Sequence, residues 1–179
     1  MKKSIVPMLA TLVEKPFDDK GWIFEIKWDG YRALAEKAGD IRLVSRNRKA
    51  LEQFPSILEE LKKIPGKWIL DGEIVIVDKK GRSNFQLLQN YQRKQVHPPV
   101  YYVFDILFCG GKDLRHLGLM ERREILRGLL KKARLKSVKF SEHVEEKGNP
   151  FFREAQRKGL EGIMAKRKES LYRSTRTRE

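Results

Sequence analysis

Short stretches of alternating apolar and polar residues dominate the first two thirds of the chain. In one of them, Trp22, Phe24 and Ile26 fall on one face of an extended strand, because successive side chains point to opposite faces. The pattern predicts strands over residues 22–27, 31–37, 41–45, 68–77 and 100–108. Asp29 and Gly30 are typical turn residues, so the first two strands are predicted to form a hairpin.

Helical periodicity occupies the gaps between these strands. Residues 56–64 and 120–134 carry apolar side chains three and four positions apart, which places them on one face of a helix. Asn149 and Pro150 are predicted to cap and begin a short helix that Gly159 ends. A last strand is predicted over 162–166. Antiparallel hairpins with interspersed helices predict an α+β fold of mainly antiparallel sheets flanked by helices.

Composition narrows the class of protein. The chain has 179 residues, which suits one domain, and a net charge of +15, which favours a polyanionic partner. A single cysteine, Cys109, excludes an internal disulfide framework. No apolar run approaches the roughly 18 residues of a membrane span, and the first residues make a poor signal peptide, so we expect a cytoplasmic protein without a membrane partner. The adjacent Arg122 and Arg123 are predicted to lie on a polar helix face, solvated or contacting phosphates.

Charged residues also occur where packed strands would not favour them. Lys27 ends an apolar strand, where a lysine presented to a cleft can act as a nucleophile once it is neutral. A solvated lysine on a surface hairpin is the alternative. Asp71 and Glu73 flank Gly72 inside an apolar run, where they can hold a divalent cation or a ribose hydroxyl, or mark a bulge on an exposed face.

Two further segments combine a carboxylate with apolar side chains. Phe104 precedes Asp105 within a strand, where an aromatic ring can stack on a purine or belong to the core. Glu161 can ligate a metal while Met164 presses on a flat ring, although the same residues can form a strand that begins at a polar turn. We expect Glu161 at a turn just before the strand, because strand alternation would otherwise place it opposite Met164.

Together these segments resemble the covalent nucleotidyltransferase superfamily, which contains ATP-dependent DNA ligases, RNA ligases and mRNA capping enzymes. The resemblance runs from about Pro7 to Thr177. Its motifs are Lys-x-Asp-Gly-x-Arg at 27–32, Asp-Gly-Glu at 71–73, Phe-Asp at 104–105 and Glu-Gly-x-x-x-Lys at 161–166. Residues 45–49, which match the family's Ser-Arg-Asn-Gly stretch, and residues 54–55, 141–143 and 159–166 are most similar to the ligase domain of bacterial and archaeal ligase D.

The resemblance implies the nucleotidyltransferase fold of DNA ligase adenylation domains, which is ATP-grasp-like, and a role for each motif residue. Lys27 is implied to attack the α-phosphate of ATP, forming lysyl–AMP that is then passed to a DNA 5′-phosphate. The residues implied to bind the nucleotide are Glu25, Ile26, Lys27, Arg32, Arg46, Glu73, Phe104, Met164 and Lys166. The residues implied to surround Mg²⁺ or Mn²⁺ are Asp29, Glu73 and Glu161.

Within that set, Glu25 and Ile26 are implied to contact the adenine edge, and Phe104 and Met164 its two faces. The implied partner is nicked or broken duplex DNA. A ligase D also implies repair by end joining with a polymerase, a nuclease and an end-binding protein.

The chain departs from the family after Tyr172. The tryptophan, the Lys-x-Lys pair and the OB-fold domain that follow in relatives are absent, so residues 1–179 are expected to form an adenylation domain whose ligation is impaired by truncation. An OB-fold domain would then act in cis or in trans, and Arg173, Arg176 and Arg178 are candidates to replace the lysine pair. The alternatives are an RNA ligase or capping-type nucleotidyltransferase, and a non-catalytic nucleic-acid-binding module with the same fold.

Overall fold

Antiparallel strand pairing organises the chain, which a computed structural model describes over residues 5–91 and 97–178. The largest sheet contains β3 (Tyr31–Lys37), β4 (Ile41–Ser45), β5 (Trp68–Val75), β6 (Val100–Cys109), β7 (Lys112–Asp113) and β8 (Val138–Phe140). Its order is β4-β3-β5-β6-β7, and β8 pairs with β6 in parallel. Asp71 and Gly72 lie inside β5 at a register shift against β6, and both are buried, so the bulge is not on an exposed face.

A smaller sheet stands beside it. Its order is β10-β2-β9, formed by β2 (Asp19–Ile26), β9 (His143–Glu146) and β10 (Ile163–Arg167). The predicted hairpin at Asp29 and Gly30 is therefore wrong, because β2 and β3 belong to different sheets and residues 27–30 connect the two. Gly30 passes so close to β5 that a Cβ atom would overlap the carbonyl oxygen of Ile74. Glycine is required here for close backbone approach rather than for a hairpin turn.

The helices are α1 (Pro55–Lys62), α2 (Phe85–Gln89), α3 (Leu119–Lys131) and α4 (Gly148–Arg157). Helices α1 and α3 bury apolar residues such as Leu61 and Leu126 against the large sheet, whose side of this core includes Trp68 and Leu70. Helix α4 packs on the smaller sheet. The opposite face of the large sheet holds a second apolar cluster, which includes Leu34, Leu107 and Tyr172.

The predicted start of α4 is wrong. The helix begins at Gly148, and Asn149 lies inside the first turn, where its main-chain N–H donates to Asp18 Oδ1 at 2.8 Å. The capping carboxylate thus comes from a segment 131 residues away. Hydrogen bonds from the side chain and from the main chain of Asn149 hold the pKa of Asp18 below its usual value. A Cβ atom at Gly148 would overlap the carbonyl oxygen of Phe17, which explains a glycine at this position.

The α+β class of mainly antiparallel sheets is confirmed. The sequence pattern missed β1 (Leu9–Ala10), β7, β8, β9, β11 (Arg176–Thr177) and α2. All are elements of two to five residues, too short to show a period. Within the described residues, no helix is long and apolar enough to cross a membrane.

Candidate active site between the two sheets

A cavity of about 440 Å³ opens between the two sheets. Its walls come from β2 and β10 of the smaller sheet and from β3, β5 and β6 of the larger one. The cavity is lined by all the residues to which the family resemblance gave a role: Glu25, Ile26, Lys27, Asp29, Arg32, Arg46, Glu73, Phe104, Glu161, Met164 and Lys166. The volume lies in the range of pockets that hold small organic ligands.

Lys27 follows β2 directly. Its main-chain N–H donates to Gly162 O at 3.0 Å, which ties the lysine to the segment before β10. Its side chain is 45% exposed, and its ammonium group forms an ion pair with the carboxylate of Glu161. Glu161 precedes β10, as expected, so it reaches Lys27 without having to share a strand face with Met164.

Phe104 presents its ring among cations. The guanidinium carbon of Arg32 lies 4.5 Å from the ring centroid and Lys166 Nζ lies 4.3 Å from it. Both distances are within the range of cation–π attraction. Met164, from the facing sheet, lines the same cavity. The cavity thus offers a flat aromatic face, a polarisable thioether and fixed positive charge, which suit a purine nucleotide.

Arg32 is held by a buried network. Its guanidinium makes two hydrogen bonds to Asp71 on the neighbouring strand, and the Tyr172 hydroxyl donates to the same carboxylate at 2.6 Å. The Met8 N–H donates to that hydroxyl at 3.0 Å. Burial, with the nearby charge of Asp71, raises the pKa of Tyr172, so the phenol stays a hydrogen-bond donor. The network fixes one cationic wall of the cavity.

Glu73 lies opposite Arg32 in the pairing of β3 with β5. Burial raises the pKa of Glu73 to about 7, although the charge of Arg32 opposes the shift. Near neutrality this carboxyl is therefore present in both forms. The neutral form can donate a hydrogen bond to a ribose hydroxyl, and the ionised form can accept one or ligate a metal.

Asp29, Glu73 and Glu161 share the cavity but do not form a ready metal site. No group of three acidic, histidine or cysteine side chains in residues 5–91 and 97–178 comes close enough together to hold a metal ion. Glu161 instead pairs with Lys27. In nucleotide-binding enzymes, Mg²⁺ commonly takes one or two carboxylates together with phosphate oxygens and waters. These hard oxygen donors fit such a cation, and the metal ligand set stays a prediction.

The chain ends of the described region border the cavity as well. Strands β1 and β11 pair in parallel, and Arg176 donates to Ala10 O at 2.6 Å. Met8, Leu9 and Thr177 also line the cavity. Of the three arginines considered as substitutes for a lysine pair, Arg176 is thus placed at the site.

The comparisons with known proteins agree with this geometry. Residues 7–179 match the profile of the ATP dependent DNA ligase domain. The chain belongs to the ATP-dependent DNA ligase family. It is 36% identical over 184 residues to the multifunctional non-homologous end joining protein LigD of Pseudomonas aeruginosa, covering 100% of this chain and 22% of that protein. It is 35% identical to a DNA ligase of Methanococcus aeolicus, covering 95% of this chain and 34% of the relative.

Solved structures give the same family. The structure of mycobacterial DNA ligase D complexed with ATP and MES matches with a TM-score of 0.84 and 31% identity, covering 97% of this chain and 58% of that one. Chlorella virus DNA ligase-adenylate, at 20% identity and a TM-score of 0.71, shares the fold. This ligase domain therefore spans less than two thirds of the length of these relatives.

The ligase domain also contains two buried arginines for which the predicted position on a polar helix face is wrong. Arg122 and Arg123 are not on a solvated helix face, since each side chain is only 1% exposed. Arg122 pairs with Asp105 on β6, and Arg123 pairs with Glu25 on β2. A carboxylate inside an apolar strand needs a buried cation. The carboxylates of Glu25 and Asp105, inside apolar strands, are therefore the sequence feature from which two buried arginines could have been predicted.

Proposed function

We propose that this ligase domain transfers AMP from ATP to its own Lys27 and then to the 5′-phosphate of DNA. The observation that supports this proposal is the convergence of four separate sequence motifs on one cavity, with Lys27 at its accessible edge. A chain that merely kept the fold would have no need to place an exposed lysine, an aromatic ring and several cations around one nucleotide-sized space.

In the proposed reaction, Lys27 Nζ forms a bond to the α-phosphorus of ATP while the bond from that phosphorus to the bridging oxygen breaks and pyrophosphate leaves. Nζ releases one proton to become the neutral nucleophile and a second after attack. The Glu161 carboxylate contacts Nζ and is the proposed acceptor of the released proton. Arg32 and Arg46 compensate phosphate charge, while Phe104 and Met164 hold the base.

A divalent cation, Mg²⁺ or Mn²⁺, would neutralise charge on the phosphate oxygens. Asp29, Glu73 and Glu161 are the side chains proposed to hold it. In this proposal the DNA is a nicked or broken duplex, which the net charge of +15 favours. Sealing draws on an OB-fold domain in cis or in trans and, in end joining, on a polymerase, a nuclease and an end-binding protein. A cytoplasmic location stays a prediction.

Intact-mass measurement tests the first step directly. The purified chain is weighed before and after incubation with ATP and Mg²⁺, and again after pyrophosphate is added. We expect one added adenylyl group that maps to Lys27, disappears with pyrophosphate and is absent in Lys27→Ala. Lys20→Ala, which replaces an exposed lysine of β2, the strand that precedes Lys27, is the matched control and should label normally.

Four results would contradict the proposal. The absence of any adduct on the wild-type chain would indicate a module without transferase activity. An adduct in Lys27→Ala would place the nucleophile elsewhere. Labelling by GTP rather than ATP would favour a capping-type enzyme, and transfer of AMP to nicked RNA but not to nicked DNA would favour an RNA ligase.

A further inference from the structure

One buried arginine joins the two walls of the cavity. Arg123, on α3, donates through Nη1 to Glu25 Oε1 at 2.7 Å and to Phe104 O at 2.9 Å. Through Nη2 it donates to Ser141 O at 2.6 Å and to His143 Nδ1 at 3.0 Å. The guanidinium thus connects β2 and β9 of the smaller sheet to β6 of the larger one. Glu25 and Phe104 are the residues assigned to the edge and the face of the nucleotide base.

The hydrogen bonds of Arg123 fix the direction of its guanidinium without using every donor of the group. Its Nε atom is buried without a hydrogen-bond partner among the described residues, so the two Nη groups alone set the direction of the guanidinium. Phe140 lies against it, with the guanidinium carbon 4.6 Å from the ring centroid. Because the fork is planar and rigid, it holds Glu25 and the Phe104 main chain at a fixed separation.

Glu25 is held by two cations at one oxygen. Lys166 Nζ lies 2.8 Å from Oε1, the atom that Arg123 also contacts. The side chain is 2% exposed, yet it lines the cavity. A buried carboxylate is strongly unfavourable without such paired cations. With Oε1 engaged, Oε2 is the oxygen that remains to accept a hydrogen bond from a ligand.

An ionised carboxylate at the base edge discriminates between purines. It accepts a hydrogen bond from a 6-amino group, whereas a 6-oxo group presents a second acceptor and repels it. We infer that Arg123 is a positioning residue that, by orienting Glu25 against the main chain of Phe104, sets the preference of this site for 6-amino over 6-oxo purine nucleotides. This inference rests on the proposed function, because it takes the cavity as the nucleotide site.

The test compares ATP with GTP on the full chain. For Arg123→Lys we expect the apparent KM for ATP in self-adenylation to rise at least about tenfold, with a smaller change in the rate at saturation. Lysine keeps the charge but has no planar fork to hold two groups at once. The ratio of ATP to GTP labelling should fall at least about tenfold. Equilibrium binding of both nucleotides to the unlabelled chain provides a second measurement.

Arg122→Lys is the matched control. Arg122 is equally buried on the same helix, and its Nη1 atom donates to the carbonyl oxygens of Leu117 and Ser170 while it also pairs with Asp105. It contacts neither Glu25 nor the Phe104 carbonyl in the hydrogen bonds of the described residues. Its replacement should lower thermal stability without changing the ATP to GTP ratio.

Glu25→Gln tests the same inference even if the variants of Arg123 do not fold. It should reduce the same ratio, and the double variant with Arg123→Lys should lose no more selectivity than the more impaired single variant.

Stability loss in Arg123→Lys with an unchanged ATP to GTP ratio would overturn the inference. Additive losses of selectivity in the double variant would also overturn it. If wild type binds ATP selectively but forms no adduct, the transfer proposal fails while this inference is still decided by the binding ratios. Binding of neither nucleotide would overturn both.

Discussion

Arg32 and Asp71 form a two-pronged ion pair between neighbouring strands of the large sheet, with Nε–Oδ1 at 2.6 Å and Nη2–Oδ2 at 2.7 Å. Asp71 is fully buried, and Arg32 is partly open to the cavity. Asp71→Asn should therefore cost about 3–5 kcal/mol of unfolding free energy, because it leaves a cation inside the protein without its partner. Urea denaturation measures this, and nucleotide affinity should fall in parallel.

Asp113→Asn is the comparison for that variant. Asp113 also binds an arginine, Arg115, through both of its carboxylate oxygens, but the two side chains are 49% and 38% exposed. Its loss should cost under about 1 kcal/mol. Equal costs at the two positions would show that burial does not determine the strength of the Arg32 pair.

Glu73 should make stability depend on pH. Its folded-state pKa of about 7 lies above the ordinary value of 4.5, so the folded state binds more protons between those values. Stability from this group is complete below pH 4.5 and is lost as pH rises through 7. Relative to Glu73→Gln, the wild type should lose on the order of 2 kcal/mol between pH 4.5 and 8, allowing for partial exposure. Urea unfolding of both proteins across this range measures it, and a pH-independent difference would contradict the raised pKa.

Arg48 occupies the left-handed region, with φ of 63°, at the position where the family's Ser-Arg-Asn-Gly stretch has glycine. It also pairs with Glu36 at 2.7 Å. Arg48→Gly and Arg48→Ala both remove that pair, but only glycine relieves the backbone strain. We expect the glycine variant to be about 1 kcal/mol more stable than the alanine variant in thermal melts. The opposite order would contradict this account of the loop.

Glu60, on α1, connects the helix to β8. Its carboxylate accepts hydrogen bonds from the main-chain N–H groups of Lys136, Ser137 and Val138. Glu60→Gln should cost about 2–4 kcal/mol, because one oxygen acceptor becomes an amide donor facing those N–H groups. Glu59→Gln, at the exposed neighbouring position, should change little and serves as the control in the same denaturation series.

Phe104→Leu should weaken ATP binding by about ten- to a hundredfold, since it removes the aromatic face on which the base is proposed to stack. Phe108→Leu on the same strand is the matched variant, because Phe108 packs against the second apolar cluster and does not line the cavity. Equilibrium binding of ATP distinguishes the two. Similar losses in both variants would indicate a general effect on β6 rather than stacking.

Local patterns in the sequence predicted the elements with a clear period. The bounds of β3 and β4 were predicted as found, because alternation over five to seven residues is a local property of the strand. The family resemblance also predicted a set of candidate nucleotide and metal residues, and each of them lines the cavity. The roles assigned to those residues, including the metal ligands, stay predictions.

The tertiary structure decided which strands pair and which charges are buried. Asp29 and Gly30 have the sequence of a hairpin turn, yet β3 gains its partners from β4 and β5, so residues 27–30 join two sheets instead. Asp18 caps α4 from across the chain, and Arg123 is buried because Glu25, 98 residues away, requires a cation. The sequence by itself determined the periodic elements and which candidate residues line one cavity, because both follow from residue type and order. Pairing, capping and charge burial depend on partners distant in the chain, which only the folded structure brings into contact.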